Sequence, residues 1–276
     1  MALSEALRNI AANYRFHASL RGGLAARLGY LTAYYLIFIC LRSGDRHLRP
    51  LVWLKRSGLS DHLVEVETPE GLRLRLDLHT AFDPLFSILC EGDYVAPPDF
   101  APAPGQVVLD MGANVGTYSI LAARRVGPEG AVVAVEPFPA NFELLTGNAA
   151  RNGLGNLRAV RAAGDSSAGE GVLYVHDRCI NHSLVRPTGS SVPVRLVTVD
   201  SLLGELGLGR LDLVKIDTEG TAARVLRGAR ESLRRYRPRV AYEHDNTADG
   251  DEAGAVLREL GYALERVRTI VYARPS

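Results

Sequence analysis

From residue 106 onward, apolar runs of six or seven residues alternate with segments long enough to be helices. The runs are QVVLDM (106–111), AVVAVE (131–136), NLRAVRA (156–162), LDLVKID (211–217) and RVAYEH (239–244). Runs that are apolar on both faces suit buried parallel strands, and parallel strands need helical crossovers between them. The pattern therefore predicts an α/β fold with a doubly wound, mostly parallel sheet. Helices are expected at 114–126, 139–151, 219–235 and 251–260. YALERV and TIVYAR should close the chain as an antiparallel pair, and two extended segments, 171–176 and 192–198, bracket a polar loop. Ligands of such sheets bind beyond the carboxyl ends of the strands. Asp110, Glu136, Asp165, Asp217, Glu243 and His244 all fall at or just past those ends.

Ahead of this region the pattern differs. Residues 1–58 read as helices broken at Gly22-Gly23 and at Ser43-Gly44-Asp45, and 62–78 alternates around Pro69-Glu70-Gly71 as a β-hairpin. The Pro-rich stretch APPDFAPAPG (96–105) sets the expected boundary between an N-terminal extension, 1–95, and the α/β domain, 96–276. Residues 1–60 carry nine Arg or Lys against Glu5 and Asp45, while the whole chain is at +1. A basic arm can seek an anionic membrane or dock on an acidic catalytic body, and docking is the preferred reading. Nucleic acid is not an expected partner. LGYLTAYYLIFICL (28–41) reaches about 21 Å as a helix, short of the ~30 Å bilayer core. A buried or interfacial helix is expected, with peripheral membrane contact as the alternative; separately, a homo-oligomer is a possible assembly. Cys40, Cys90 and Cys179 form no CxxC, which argues against a zinc site or disulfide framework and fits a cytoplasmic location.

LDMGANVGTYS (109–119) turns sharply at Gly112 and Gly116, with Asp110 just ahead. A dinucleotide fingerprint wants G-x-G-x-x-G, but Asn114 stands at its second glycine, and an acid before the turn repels a pyrophosphate. Asp110 suits a cation instead. A cationic adenosine compound without phosphate is S-adenosylmethionine. Glu136, followed by Pro137, is placed to accept both ribose hydroxyls, and Asp165 to meet the adenine amino group. Tyr94, in CEGDYV, either lies over the cofactor or packs in the core.

These residues carry a family resemblance. VVLDMGANVGTYS through EPFPANFELLTGNAARNGL, then VTVDSLL, LDLVKIDTEG and VLRGA, resemble the FkbM family of class I S-adenosylmethionine-dependent methyltransferases over about residues 90–245. The resemblance implies a seven-stranded Rossmann-like sheet and methyl transfer, usually to a hydroxyl of a natural product, sugar or glycan. It places Ala113, Asn114, Thr117, Asn141 and Gly164 in the cofactor site beside Gly112, Gly116, Glu136 and Asp217. One departure stands out: the family often reads E-G-A-E where this chain has Glu219-Gly220-Thr221-Ala222.

Methyl transfer from a sulfonium needs in-line placement and removal of the acceptor's proton. Two arrangements stay open. In one, Asp217, Glu243 and His244 hold Mg2+, which lowers the pKa of the acceptor oxygen, although His244 is a poor magnesium ligand. In the other, no metal is used and a base acts: His244, His182 from CINHSL, or Glu219, which can also simply start a helix. The metal-free arrangement is preferred. Asp200 reads as an N-cap, and Lys215, in a strand, needs a carboxylate partner. A non-catalytic nucleoside-binding protein and a membrane-associated glycan or lipid methyltransferase are the alternative functions.

Overall fold

A computed structural model describes residues 63–77, 83–89, 91–175, 182–244 and 246–276. The expected N-terminal helices, the apolar segment 28–41 and all three cysteines lie outside these residues. No helix among the described residues is long and apolar enough to cross a membrane.

The chain divides into two compact units, 1–91 and 92–276, so Tyr94 belongs to the second. In the first, β1 (Leu63–Glu67) and β2 (Arg73–Asp77) form the antiparallel hairpin, and α1 spans Asp83–Leu89. The turn between the strands is closed by Leu72 N–H donating to the Thr68 hydroxyl at 3.2 Å.

The second unit holds β3 (Val107–Met111), α2 (Thr117–Val126), β4 (Ala131–Val135), α3 (Pro139–Arg151) and β5 (Leu157–Val160). After three strands that leave the main sheet come α4 (Val199–Glu205), β9 (Leu213–Ile216), α5 (Ala222–Arg227), α6 (Arg230–Tyr236), β10 (Arg239–Glu243), α7 (Ala248–Glu259), β11 (Tyr262–Val267) and β12 (Ile270–Pro275). The seven-stranded order is β11-β12-β10-β9-β3-β4-β5, parallel from β10 to β5, with β12 antiparallel to both its neighbours. This is the α/β class I methyltransferase architecture. The order reverses between β3 and β9, so the carboxyl ends of those two strands flank the switch-point crevice.

The departing strands are β6 (Ala163–Gly164), β7 (Gly169–Val175) and β8 (Ser190–Val197), which make their own sheet in the order β6-β8-β7. Packing also divides the helix expected over 219–235. A Cβ on Gly228 would sit 2.2 Å from the Asp165 carbonyl, and the helix axis breaks there into α5 and α6. Asp200 is not the cap of its own helix. Thr198 caps α4, and the Asp200 carboxylate accepts from Glu231 and Ser232 N–H at 3.1 and 2.8 Å, holding the start of α6. Asp249, from α7, likewise accepts from Ala222 and Ala223 N–H. It supplies negative charge at the start of α5, where the acid of E-G-A-E is missing.

Candidate active site

The turn after β3 consumes its own N–H groups. Gly112 and Ala113 donate to the Val135 carbonyl at 3.0 and 2.9 Å, and Gly116 donates to the Ala113 carbonyl at 2.9 Å. Asn114 N–H reaches Glu136 Oε2 at 2.8 Å, and Val115 N–H reaches the Asn114 side chain at 2.7 Å. A phosphate cradle points such groups at its ligand. Residues 112–116 have none to offer. Asn114 itself sits at φ 52°, and Gly112 and Gly116 at 82° and 93°, in the left-handed region. Gly112 is dictated by the neighbouring strand, because a Cβ there would lie 1.8 Å from the Asp217 carbonyl. At Gly116 the obstacle is Leu145.

Glu136 ends β4 with one N–H on each oxygen: Asn114 on Oε2 and Phe138 on Oε1, at 2.8 and 2.9 Å. Asn141 also hydrogen-bonds this carboxylate. Burial pushes Glu136 up to about 7, against the opposing pull of those donors. Three donors fill three of the about four lone-pair sites of the carboxylate, so it can still accept one hydroxyl donor of a nucleoside. Two hydroxyls, of Thr117 at the start of α2 and Thr218 after β9, are buried without a hydrogen-bond partner among the described residues. A polar, phosphate-free nucleoside fits this donor and acceptor set.

Asp110 departs from its expected role. It is fully buried, with Lys215 Nζ 3.0 Å from one oxygen and the Ser119 hydroxyl 2.5 Å from the other. The cation it holds is Lys215, and it reaches a ligand only through the turn it supports. Lys215 also donates to the Gly112 carbonyl at 2.7 Å, lies 3.6 Å from Asp217 and sits 5.2 Å from the centre of the Tyr94 ring. Burial alone lowers a lysine, but here the Asp110 and Asp217 charges outweigh it and raise Lys215.

Beyond β9 and β10, one carboxylate oxygen each from Asp217, Glu219 and Glu243 lies within 4.8 Å of the others. Repulsion by Asp217, then burial, then repulsion by Glu219 push Glu243 up to about 9, so at neutral pH it is protonated and hydrogen-bonded to Asp217. The Tyr94 hydroxyl joins Asp217 as well, and burial with the two acids holds it well above the ordinary tyrosine range. Tyr94 (φ 68°) and Glu219 (φ 51°) are both left-handed, a strain that concentrates at functional sites.

His244 is not part of this cluster. Its Nδ1 accepts from Asn246 N–H at 3.1 Å, which leaves the proton on Nε2, 3.2 Å from Asp251. β10 ends at Glu243, and the chain beyond it sets the His244 ring against Asn246 and Asp251 instead. Glu219 takes the third place expected for the histidine.

Asp165 and Gly164 also serve the scaffold. Asp165 is buried in an ion pair with Arg224, at 2.5 Å, and accepts from Ser166. A Cβ on Gly164 would meet Met111 and Val225. His182 packs against Phe138, two residues on from Glu136, with ring centroids 4.1 Å apart and ring planes tilted by 50°. From the same segment, the Ser183 hydroxyl donates to the Glu219 carbonyl at 2.8 Å, and Arg186 pairs with the Glu219 carboxylate at 3.3 Å. Residues 182–186 thus strap the β4 tip to the turn after β9. Sequence reading missed Ser183 and Arg186, whose one signal was that they neighbour His182.

A family model described as the methyltransferase FkbM domain matches residues 110–265. 31-O-demethyl-FK506 methyltransferase FkbM of Streptomyces tacrolimicus is 27% identical over 193 residues, 58% of this chain and 74% of that one. Hexuronic acid methyltransferase AglP of Haloferax volcanii is 28% identical, over 46% of this chain and 51% of its own. The crystal structure of methyltransferase FkbM from Methylobacillus flagellatus KT aligns with a TM-score of 0.47 at 15% identity, over 98% of this chain and 60% of that one.

Proposed function

The chain belongs to the FkbM family of methyltransferases, and on that premise we propose that it transfers a methyl group from S-adenosylmethionine to a hydroxyl of a small molecule. A natural-product or sugar intermediate is the acceptor class, in keeping with relatives named for a methylation at oxygen and for a hexuronic acid. The observation that carries the oxygen reading is the cluster of Asp217, Glu219 and Glu243 carboxylates within 4.8 Å of one another, with Asp217 against the Gly112 turn.

When bound, the donor supplies an electrophilic methyl group on a sulfonium leaving group. Glu136 would accept a ribose hydroxyl, with Asn114, Phe138 and Asn141 fixing its orientation. An alkyl hydroxyl is a weak nucleophile near neutrality, and a base within hydrogen-bond reach corrects that. Asp217 would take the proton of the acceptor hydroxyl, and the Asp217–Glu243 pair would pass a proton on to water. Glu219, held by Arg186 and Ser183, lines the same pocket.

The three carboxylates have the oxygen donors a divalent cation prefers. They are already offset by Lys215, by Arg186 and by the proton on Glu243, so we read the reaction as metal-free. His182 is the second candidate base, and Asp217→Asn against His182→Ala separates the two.

The test is calorimetric binding of S-adenosylmethionine, with methyl transfer scored on a hexuronic acid and a macrolide alcohol. Binding lost in Glu136→Ala and methyl ether formation support the reading. Unchanged affinity in that variant would sink the donor assignment, and methylation confined to amines would sink the oxygen assignment.

A further inference from the structure

We propose that Lys215 is a positioning residue that joins the donor turn and the acid pair into one rigid piece. The inference rests on the methyl-transfer reading above and assigns that site a new part. Three observations converge on it. The Gly112–Ala113 peptide is gripped from both sides: its carbonyl accepts from Lys215 Nζ at 2.7 Å, and its N–H donates to the Val135 carbonyl at 2.9 Å. The same ammonium lies 3.6 Å from Asp217 and 3.0 Å from buried Asp110. The two turns also touch directly, since no Cβ fits between Gly112 and the Asp217 carbonyl.

An ammonium has three N–H donors. Here one hydrogen-bonds the turn after β3, and the charge itself is set between Asp110 in β3 and Asp217 past β9. Tyr94 completes the enclosure, with its ring beside the ammonium and its hydroxyl on Asp217. Removing Lys215 frees the Gly112 carbonyl to rotate and lets Asp217 swing away from it. Donor and base then keep their separate contacts but lose their common reference. Because in-line transfer tolerates little misplacement, an error of about 1 Å costs on the order of 10²-fold in rate.

A lone Lys215→Met leaves Asp110 charged and buried, so the informative variant is Lys215→Met with Asp110→Asn, which removes both charges and keeps a partner for Ser119. For whichever probe acceptor the wild-type protein methylates, kcat should fall about 10²-fold while KM for S-adenosylmethionine moves less than about threefold. Restoring Lys215 in the Asp110→Asn background should recover most of the lost kcat. A double variant with wild-type kcat, or one in which KM carries the whole loss, overturns the proposal.

A second measurement stands apart from turnover. Amide hydrogen exchange at Ala113 should accelerate at least about tenfold in the double variant, while Val256 in α7 stays unchanged as a check on the global fold. Unchanged exchange at Ala113 overturns the proposal even if no acceptor is methylated. Failure of the wild-type protein to bind S-adenosylmethionine instead overturns the function and leaves the exchange result to judge Lys215.

Discussion

Glu136 is raised to about 7 because it is buried, so donor binding through this carboxylate should depend on pH. A ribose hydroxyl donates to the ionised carboxylate, so binding must drive off a proton wherever Glu136 still carries one. The ionised fraction rises about tenfold from pH 6 to pH 8 for a group titrating near 7, and affinity for S-adenosylmethionine should rise by the same factor. Calorimetry in buffers of different ionisation enthalpy should detect proton release at pH 6 and almost none at pH 8. A flat affinity over that range contradicts the role of Glu136, and Glu136→Gln should abolish the dependence. Asp110 behaves differently, because its charge is spent on Lys215. Asp110→Ala leaves that lysine buried without its main partner and should cost about 3–5 kcal/mol in urea unfolding. Weakened donor binding in that variant therefore reports on the scaffold first.

At the level of elements, the strap over residues 182–186 is tied to the turn after β9 through Ser183 and Arg186. Ser183 is buried, and its hydroxyl donates to Glu219 while accepting from Val185 N–H. Ser183→Ala should cost about 1–3 kcal/mol by thermal unfolding, as both backbone groups lose their partner. No change in the midpoint would mean that the strap is held elsewhere. How far the site could be read in advance also divides by element. The strands were legible because β3, β4 and β9 are apolar on both faces and leave their acids at one end. Lys215 was recognisable as needing a carboxylate, yet Asp110 lies 105 residues away and adjacency of β3 and β9 follows only from the sheet order. His244 was misplaced because its direction depends on where the pleat of β10 stops. The break at Gly228 is set by the backbone of Asp165, a contact that helical periodicity over 219–235 does not contain. Likewise, alternation in 171–176 and 192–198 announces strands without saying which sheet they join.

Across the molecule, the raised Glu243 should add one pH-dependent contribution to stability. Glu243 titrates near 4.5 when unfolded and about 9 when folded, so the native state binds the extra proton in between. Its contribution is fully present below the unfolded value and is lost as pH rises towards 9. The thermal midpoint should decline from pH 6 to pH 9, and Glu243→Gln should flatten that decline. A midpoint rising with pH and unaffected by the substitution would refute the shared proton. On the same reading, methyl transfer should survive EDTA, and restoration by added Mg2+ of activity lost in EDTA would return the three carboxylates to a metal.

The turn after β3, with all five of its N–H groups already used, has a consequence for life among other adenosine compounds. ATP and the nicotinamide dinucleotides share the adenine and ribose that Glu136 is proposed to grip, and they abound in cells. Each would have to bring its phosphates against a loop with no donor to spare, beside an acid cluster. The cost of stripping water from a phosphate that those N–H groups cannot reciprocate should favour the phosphate-free nucleoside over these compounds.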